Sequence, residues 1–136
     1  MPGMYTRTEN QPAIFLVEAD DETRPLLKSN LQRHGYRVII ALDEQDAWER
    51  VGDHGIEADL ILVDTVSMSL EAALGVGRRI RERAKGNGRT PLVVLAEQYG
   101  ADVEGTDANV GGNDWIAYLA DHEQLENLLA RLISTA

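Results

Sequence analysis

The sequence predicts an α/β domain built on a doubly wound parallel sheet of five strands. Three observations carry that prediction. Short, unbroken apolar runs recur along the chain, at Ile14–Val17, Leu60–Val63 and Pro91–Leu95. Their lack of polar alternation marks strands buried on both faces, as in a parallel sheet covered by helices. Between them lie segments with apolar residues at helical spacing, so strand and helix alternate. Two of the runs end in acids, Glu18 and Asp64. In open sheets of this kind, ligands sit at the carboxyl ends of the strands, so those acids mark a candidate site.

The elements follow in order. Ile14–Val17 is strand one. Asp20, Asp21, Glu22, Thr23 and Pro25 combine acids, a capping hydroxyl and an early proline, which announce a helix start. Leu26, Leu27, Leu31 and His34 are helically spaced, and Gly35 is a natural stop. Val38–Ala41 is strand two. Asp43 is placed to cap helix two, with Ala47, Trp48 and Val51 facing inward and Gly55 at its end. Leu60–Val63 is strand three. Helix three runs from Leu70 to Lys85, with Ala73, Val76, Gly77, Ile80 and Ala84 inward; Gly75 and Gly77 read as close packing rather than a nucleotide loop. Gly86-Asn87-Gly88 breaks the chain before strand four, Pro91–Leu95, and Trp115–Tyr118 makes strand five. Asp121 and Gln124 form a capping box for the last helix, whose stripe is Leu125, Leu128, Leu129, Leu132 and Ile133. The segment Gln98–Asn113 holds four glycines and few large apolar residues, so a fourth helix there is expected to be short or irregular, giving about five helices in all. Residues 1–12 are polar and patternless and read as a flexible leader; residues 13–136 form the domain.

Composition bounds the function. A chain of 136 residues with 43% hydrophobic content is one folded domain. Its net charge of -10 argues against direct nucleic-acid binding and against anionic membranes, both of which select positive fields. There is no cysteine, which excludes thiol catalysis and thiolate metal sites and is compatible with the cytoplasm, the expected location. No apolar run reaches membrane-spanning length, and no signal region opens the chain. His34, His54 and His122 are far apart in the element order and lack metal-ligand spacing. Arg78, Arg79, Arg81, Arg83, Lys85 and Arg89 read as a solvated helix face with cations near its C-terminus.

With the strand-one acids, Leu60-Ile61-Leu62-Val63-Asp64, Thr90-Pro91-Leu92-Val93-Val94-Leu95, and Gly35-Tyr36-Arg37-Val38 leading into strand two, the chain resembles the receiver domain of two-component response regulators over residues 13 to 135. The resemblance implies a flavodoxin-like sheet of order 2-1-3-4-5. It also implies a chemistry: an aspartate attacks a phosphohistidine, and Mg²⁺, a hydroxyl and a lysine neutralise the phosphoryl charge. Carried over by position, Asp64 is the phosphoacceptor and Glu18 the first metal-site acid. The second acid position falls on Ala19; Asp20 substitutes only if the turn is remodelled. The backbone carbonyl of Val66 is the remaining protein ligand. The hydroxyl position falls on Ala96, the lysine on Tyr118, and Trp115 takes the place of the switch aromatic. The only lysines, Lys28 and Lys85, belong to helices one and three.

These departures predict weak Mg²⁺ binding and a phosphoryl group without its usual partners. Tyr118 fills the lysine's place, and its hydroxyl is a candidate donor to Asp64. Three readings compete: a pseudo-receiver acting by protein–protein interaction, a phosphoaccepting receiver with impaired chemistry, and a small α/β ligand-binding domain or enzyme. The first is preferred, with no catalytic residue assigned and with a histidine kinase or other signalling protein as partner. A homodimer is allowed, although the glycine-rich segment argues against the family's helix-four face.

Overall fold

The computed structural model describes residues 11–54, 57–65, 68–84 and 89–135. Its strands are β1 (Ala13–Val17), β2 (Arg37–Ala41), β3 (Leu60–Asp64), β4 (Leu92–Leu95), β5 (Thr106–Gly111) and β6 (Asp114–Tyr118). They form one sheet in the order β2-β1-β3-β4-β6-β5. All neighbours are parallel except β5, which runs antiparallel to β6. Four helices are described: α1 (Thr23–Arg33), α2 (Glu44–His54), α3 (Leu70–Arg83) and α4 (His122–Thr135). None is long and apolar enough to cross a membrane.

Alternate side chains of the buried strands feed two cores, as strand geometry requires. Ile14, Leu16, Leu60, Leu62, Val93 and Ala117 join Leu31 of α1 and the Leu125, Leu128, Leu129 and Leu132 stripe of α4. Phe15, Val17, Ile61, Val63, Val94 and Ile116 meet Ala47 and Val51 of α2 and Ala73, Val76 and Ile80 of α3. The expected inward residues are therefore found, with two exceptions. Leu26 is 73% exposed and Trp48 is 41% exposed. Trp48 lies at the rim, where the Arg83 guanidinium stacks 4.0 Å from its ring centroid while donating to its carbonyl.

Local chemistry explains the helix ends. Asp43 accepts from the Asp46 amide, and Asp46 reaches back to the Leu42 amide, both at 2.8 Å. Asp121 and Gln124 make the same reciprocal box at the start of α4. Ser69 caps α3 through the Ala72 amide. Gly35, at φ 90°, ends α1 in the left-handed region. His34 closes that helix through the Asn30 carbonyl and pairs with Glu126 of α4 at 2.8 Å.

The five-stranded expectation needs one correction. No fourth helix lies between β4 and the strand of Trp115; a turn and β5 occupy its place, giving six strands and, among the described residues, four helices. The glycines that weaken a helix here build a hairpin instead. Gly111 (φ 129°) and Gly112 (φ 53°) turn the chain, and a bulge at Asn109/Gly111 shifts the register before the last pair, Gly111 with Asp114. A second correction concerns the arginines of α3. They are not simply solvated. Arg78 and Arg81 each reach Asp114 at 2.7 Å, and Arg79 grips Glu44 through two hydrogen bonds. Lys85, Gly55 and Gly86-Asn87-Gly88 lie outside the described residues.

Candidate functional site

Strand register brings the candidate residues to one edge. Val17 pairs with Val63, so the next residues, Glu18 and Asp64, emerge side by side at the carboxyl ends of β1 and β3. Asp64 pairs with Leu95, and Leu95 with Ala117. Ala96 and Tyr118 therefore lie one step beyond, on the adjoining strands. Val66 lies outside the described residues.

Glu18 is fully buried. Its amide donates to the Ala41 carbonyl, which ties it to β2. One carboxyl oxygen accepts the Asp20 amide at 3.2 Å; the other, Oε1, has no hydrogen-bond partner among the described residues. Burial pushes its pKa up to about 8, and the nearby Asp64 carboxylate pushes the same way. The Asp20 amide opposes them only in part. Burial and Asp64 both favour the uncharged form of the Glu18 carboxyl.

The turn after β1 is not remodelled toward a metal. Asp20 accepts the Thr23 amide at 2.7 Å and is held below the usual carboxylate range by the Thr23 hydroxyl and amide. It is thus a capping residue for α1. Arg24 donates to the Glu18 and Ala19 carbonyls and to the Asp21 carboxylate. Its charge braces the loop.

The other strand ends are equally committed. The Thr65 hydroxyl, buried, donates to the Leu95 carbonyl at 2.9 Å. Ala96 packs against the α2–α3 core and donates its amide to Ala117. Tyr118 packs against that core too, and its ring meets Tyr99 edge-on at 5.6 Å. Its hydroxyl makes no hydrogen bond to Asp64, so the expected donor is not supplied by this tyrosine. Trp115 packs on the α1–α4 core below the Arg131 guanidinium, and its indole nitrogen has no partner among the described residues.

Beside Thr65 opens a cleft of about 480 Å³ lined by Thr65, Met68, Ser69, Leu70, Glu97 and Gln98. Glu97 is an acid that the sequence reading did not select, although it follows Ala96 directly. Even so, no group of three His, Asp or Glu side chains among the described residues could hold a metal ion. With Asp20 held by the Thr23 amide and only a methyl at Ala19, the strand-one end offers a poor match to the near-octahedral oxygen set that Mg²⁺ demands.

No family model matches the chain. It is 25% identical over 104 residues to the response regulator GtcR of Aneurinibacillus migulanus, spanning 76% of this chain and 40% of that protein. It is 41% identical over 63 residues to a two-component response regulator-like protein of Arabidopsis thaliana, spanning 45% of this chain and 11% of that protein. The chain thus spans less than half the length of either curated relative. Among solved structures, a response regulator from Thermotoga maritima is 25% identical with a TM-score of 0.64, over 91% of this chain and 98% of that one. The receiver domain of a sensor histidine kinase from Pseudomonas aeruginosa, described with magnesium coordinated in its active-site cleft, is 26% identical with a TM-score of 0.66 over the same shares. The sheet order, the strand-end carboxylates and these relatives converge: the chain has the receiver-domain fold and is similar to response regulators over most of its length.

Proposed function

We propose that this domain is a pseudo-receiver, a module of two-component signalling that acts through protein–protein interaction with little or no phosphorylation of Asp64. One observation carries the reading: Glu18 is fully buried beside Asp64 and Asp20 is taken up by the Thr23 amide at the start of α1, where a receiver of the usual pattern gathers acids for a metal. Ala19, Ala96 and Tyr118 offer no second acid, hydroxyl bond or ammonium to an incoming phosphoryl group. Hydrogen bonds to charged groups contribute about 1.5–3 kcal/mol each, so losing two slows transfer by orders of magnitude. Mg²⁺ binding is correspondingly weak. The partner class is a histidine kinase or another signalling protein. The domain is a signalling module rather than an enzyme.

A second reading, a phosphoacceptor with impaired chemistry, is favoured by the cleft lined by Thr65, the residue that follows Asp64. Incubation with acetyl phosphate and Mg²⁺, followed by intact-mass measurement, separates the two. The unchanged mass of 15.0 kDa is expected. A phosphoryl adduct that disappears in Asp64→Asn establishes the second reading instead.

A further inference from the structure

Backbone directions single out β5. The Ala96 amide donates to the Ala117 carbonyl and the Leu92 amide to the Asn113 carbonyl, so the odd-numbered residues of β6 turn their backbone groups toward β4. Its even-numbered residues therefore face β5, where Ile116 pairs with Ala108 and Tyr118 with Thr106. Antiparallel ladders alternate, so Asp107 and Asn109 point their N–H and C=O groups the other way, off the sheet. Among the described residues no strand lies beyond β5. This is an open edge in a position where a helix was expected.

We infer that β5 is a self-docking edge, at which two copies of this chain pair β5 with β5 in antiparallel fashion about a two-fold axis at Ala108. The register follows from charge and shape. With Ala108 opposite its own copy, each Asp107 lies across from the other copy's Asn109, and their amides and carbonyls close four hydrogen bonds. Ala108 then falls on a non-hydrogen-bonded pair, where side chains come closest and a methyl group fits. A shift that centres the pair on Asp107 sets two carboxylates face to face, which is destabilising. In the favoured register the only charge on the strand, Asp107, is already paired with Arg131 at 3.2 Å in its own chain.

Nothing on the strand blocks such pairing. β5 reads Thr-Asp-Ala-Asn-Val-Gly, without the lysine or proline that commonly protects an edge, and Val110 is exposed. The bulge at Asn109/Gly111 limits the paired length rather than preventing it. The net charge of -10 on each chain opposes association, so the pair tightens as salt screens that repulsion. An isologous contact of this kind is closed, giving a dimer rather than a fibre. The pairing does not rest on the state of Asp64.

The test uses the full chain. Light scattering at rising protein concentration is expected to show a mass of twice 15.0 kDa, reached at lower concentration in higher salt. Because the chain has no cysteine, introduced thiols report position cleanly. Ala108→Cys is expected to cross-link to its own copy under mild oxidation, and Val110→Cys, displaced from the axis on opposite sides in the two copies, is not. Ala108→Glu places two carboxylates on the axis and is expected to leave a folded monomer, its fold checked by circular dichroism. A wild-type chain that stays monomeric at every concentration and salt overturns the inference. So does a dimer that Ala108→Glu leaves intact, or thiol cross-linking as fast at Val110→Cys as at Ala108→Cys.

Discussion

Glu18 and Asp64 directly follow the paired residues Val17 and Val63 at the ends of β1 and β3, and burial together with the nearby Asp64 raises the Glu18 pKa to about 8. The consequence for stability has a definite sign. Unfolded, Glu18 titrates near 4.5; folded, at about 8. Between those values the folded chain binds the extra proton, so stability falls as pH rises from 4.5 toward 8 and levels off above. Glu18→Gln keeps the size of the side chain and an acceptor oxygen for the Asp20 amide without ionising. It is expected to flatten this slope and to stabilise the fold above pH 8 by about 1–3 kcal/mol. Thermal melts of both proteins across pH check it, and parallel slopes would discard the raised Glu18 pKa as the cause.

Restoring what the pocket lacks should restore its chemistry. The triple change Ala19→Asp, Ala96→Thr and Tyr118→Lys returns an acid, a hydroxyl and an ammonium to the positions that receivers of the usual pattern occupy with them. Two recovered charge-assisted bonds amount to about 3–6 kcal/mol, or roughly two to four decades in rate. A phosphoryl adduct from acetyl phosphate and Mg²⁺, abolished by adding Asp64→Asn, is the expected result. A triple variant that folds yet remains unmodified would locate the deficit elsewhere.

The parts of the fold that were legible in the sequence are those where one force dominates. Ile14–Val17, Leu60–Val63 and Pro91–Leu95 are buried on both faces, so burial alone writes their pattern. The caps at Asp43 and at Asp121 with Gln124 are local and were equally readable. β5 was not, because an edge strand is half exposed, and Thr106, Asp107 and Asn109 break any apolar alternation. The available signal was Gly111-Gly112 between two short segments, a hairpin mark that was read as helix weakness. At the site, Asp64 and Glu18 were placed by position in their runs. The role of Asp20 depended on which way a turn folds, and its bond to the Thr23 amide is a choice made in three dimensions. The pairing of Arg78 and Arg81 with Asp114 joins residues more than 30 positions apart and leaves no local trace.

That clamp yields its own prediction. Asp114 is 5% exposed; burial pushes its carboxyl up, but the guanidiniums of Arg81 and Arg78 outweigh this and hold it below 3.8. A depressed folded value means the stabilisation is present above pH 3.8 and lost as pH falls through the folded pKa. Asp114→Ala orphans two arginines and is expected to cost about 2–4 kcal/mol, with less added acid sensitivity remaining. Arg81→Ala should cost more than Arg78→Ala, because the Arg81 side chain is 16% exposed against 46% for Arg78. Urea unfolding at neutral and acid pH measures each, and equal costs for the two arginines would count against the clamp.

Gly75 and Gly77 lie two residues apart in α3 and should respond oppositely to the same substitution. A Cβ at Gly77 would stand 2.3 Å from Leu92 Cδ1 in the core, against β4. Leu92 is fully buried and has no room to retreat, so Gly77→Ala overpacks the helix–sheet contact and is expected to cost about 1–3 kcal/mol. A Cβ at Gly75 would meet only the end of the Arg79 side chain, at 3.1 Å. That arginine can shift, at some loss to its bond with Glu44, while alanine gains up to about 1 kcal/mol of helix propensity over glycine. Gly75→Ala is therefore expected to be neutral or stabilising. Urea denaturation of the two variants beside the parent decides the matter. Destabilisation by Gly75→Ala as large as by Gly77→Ala would show that the approach of α3 to β4 is not what makes Gly77 necessary.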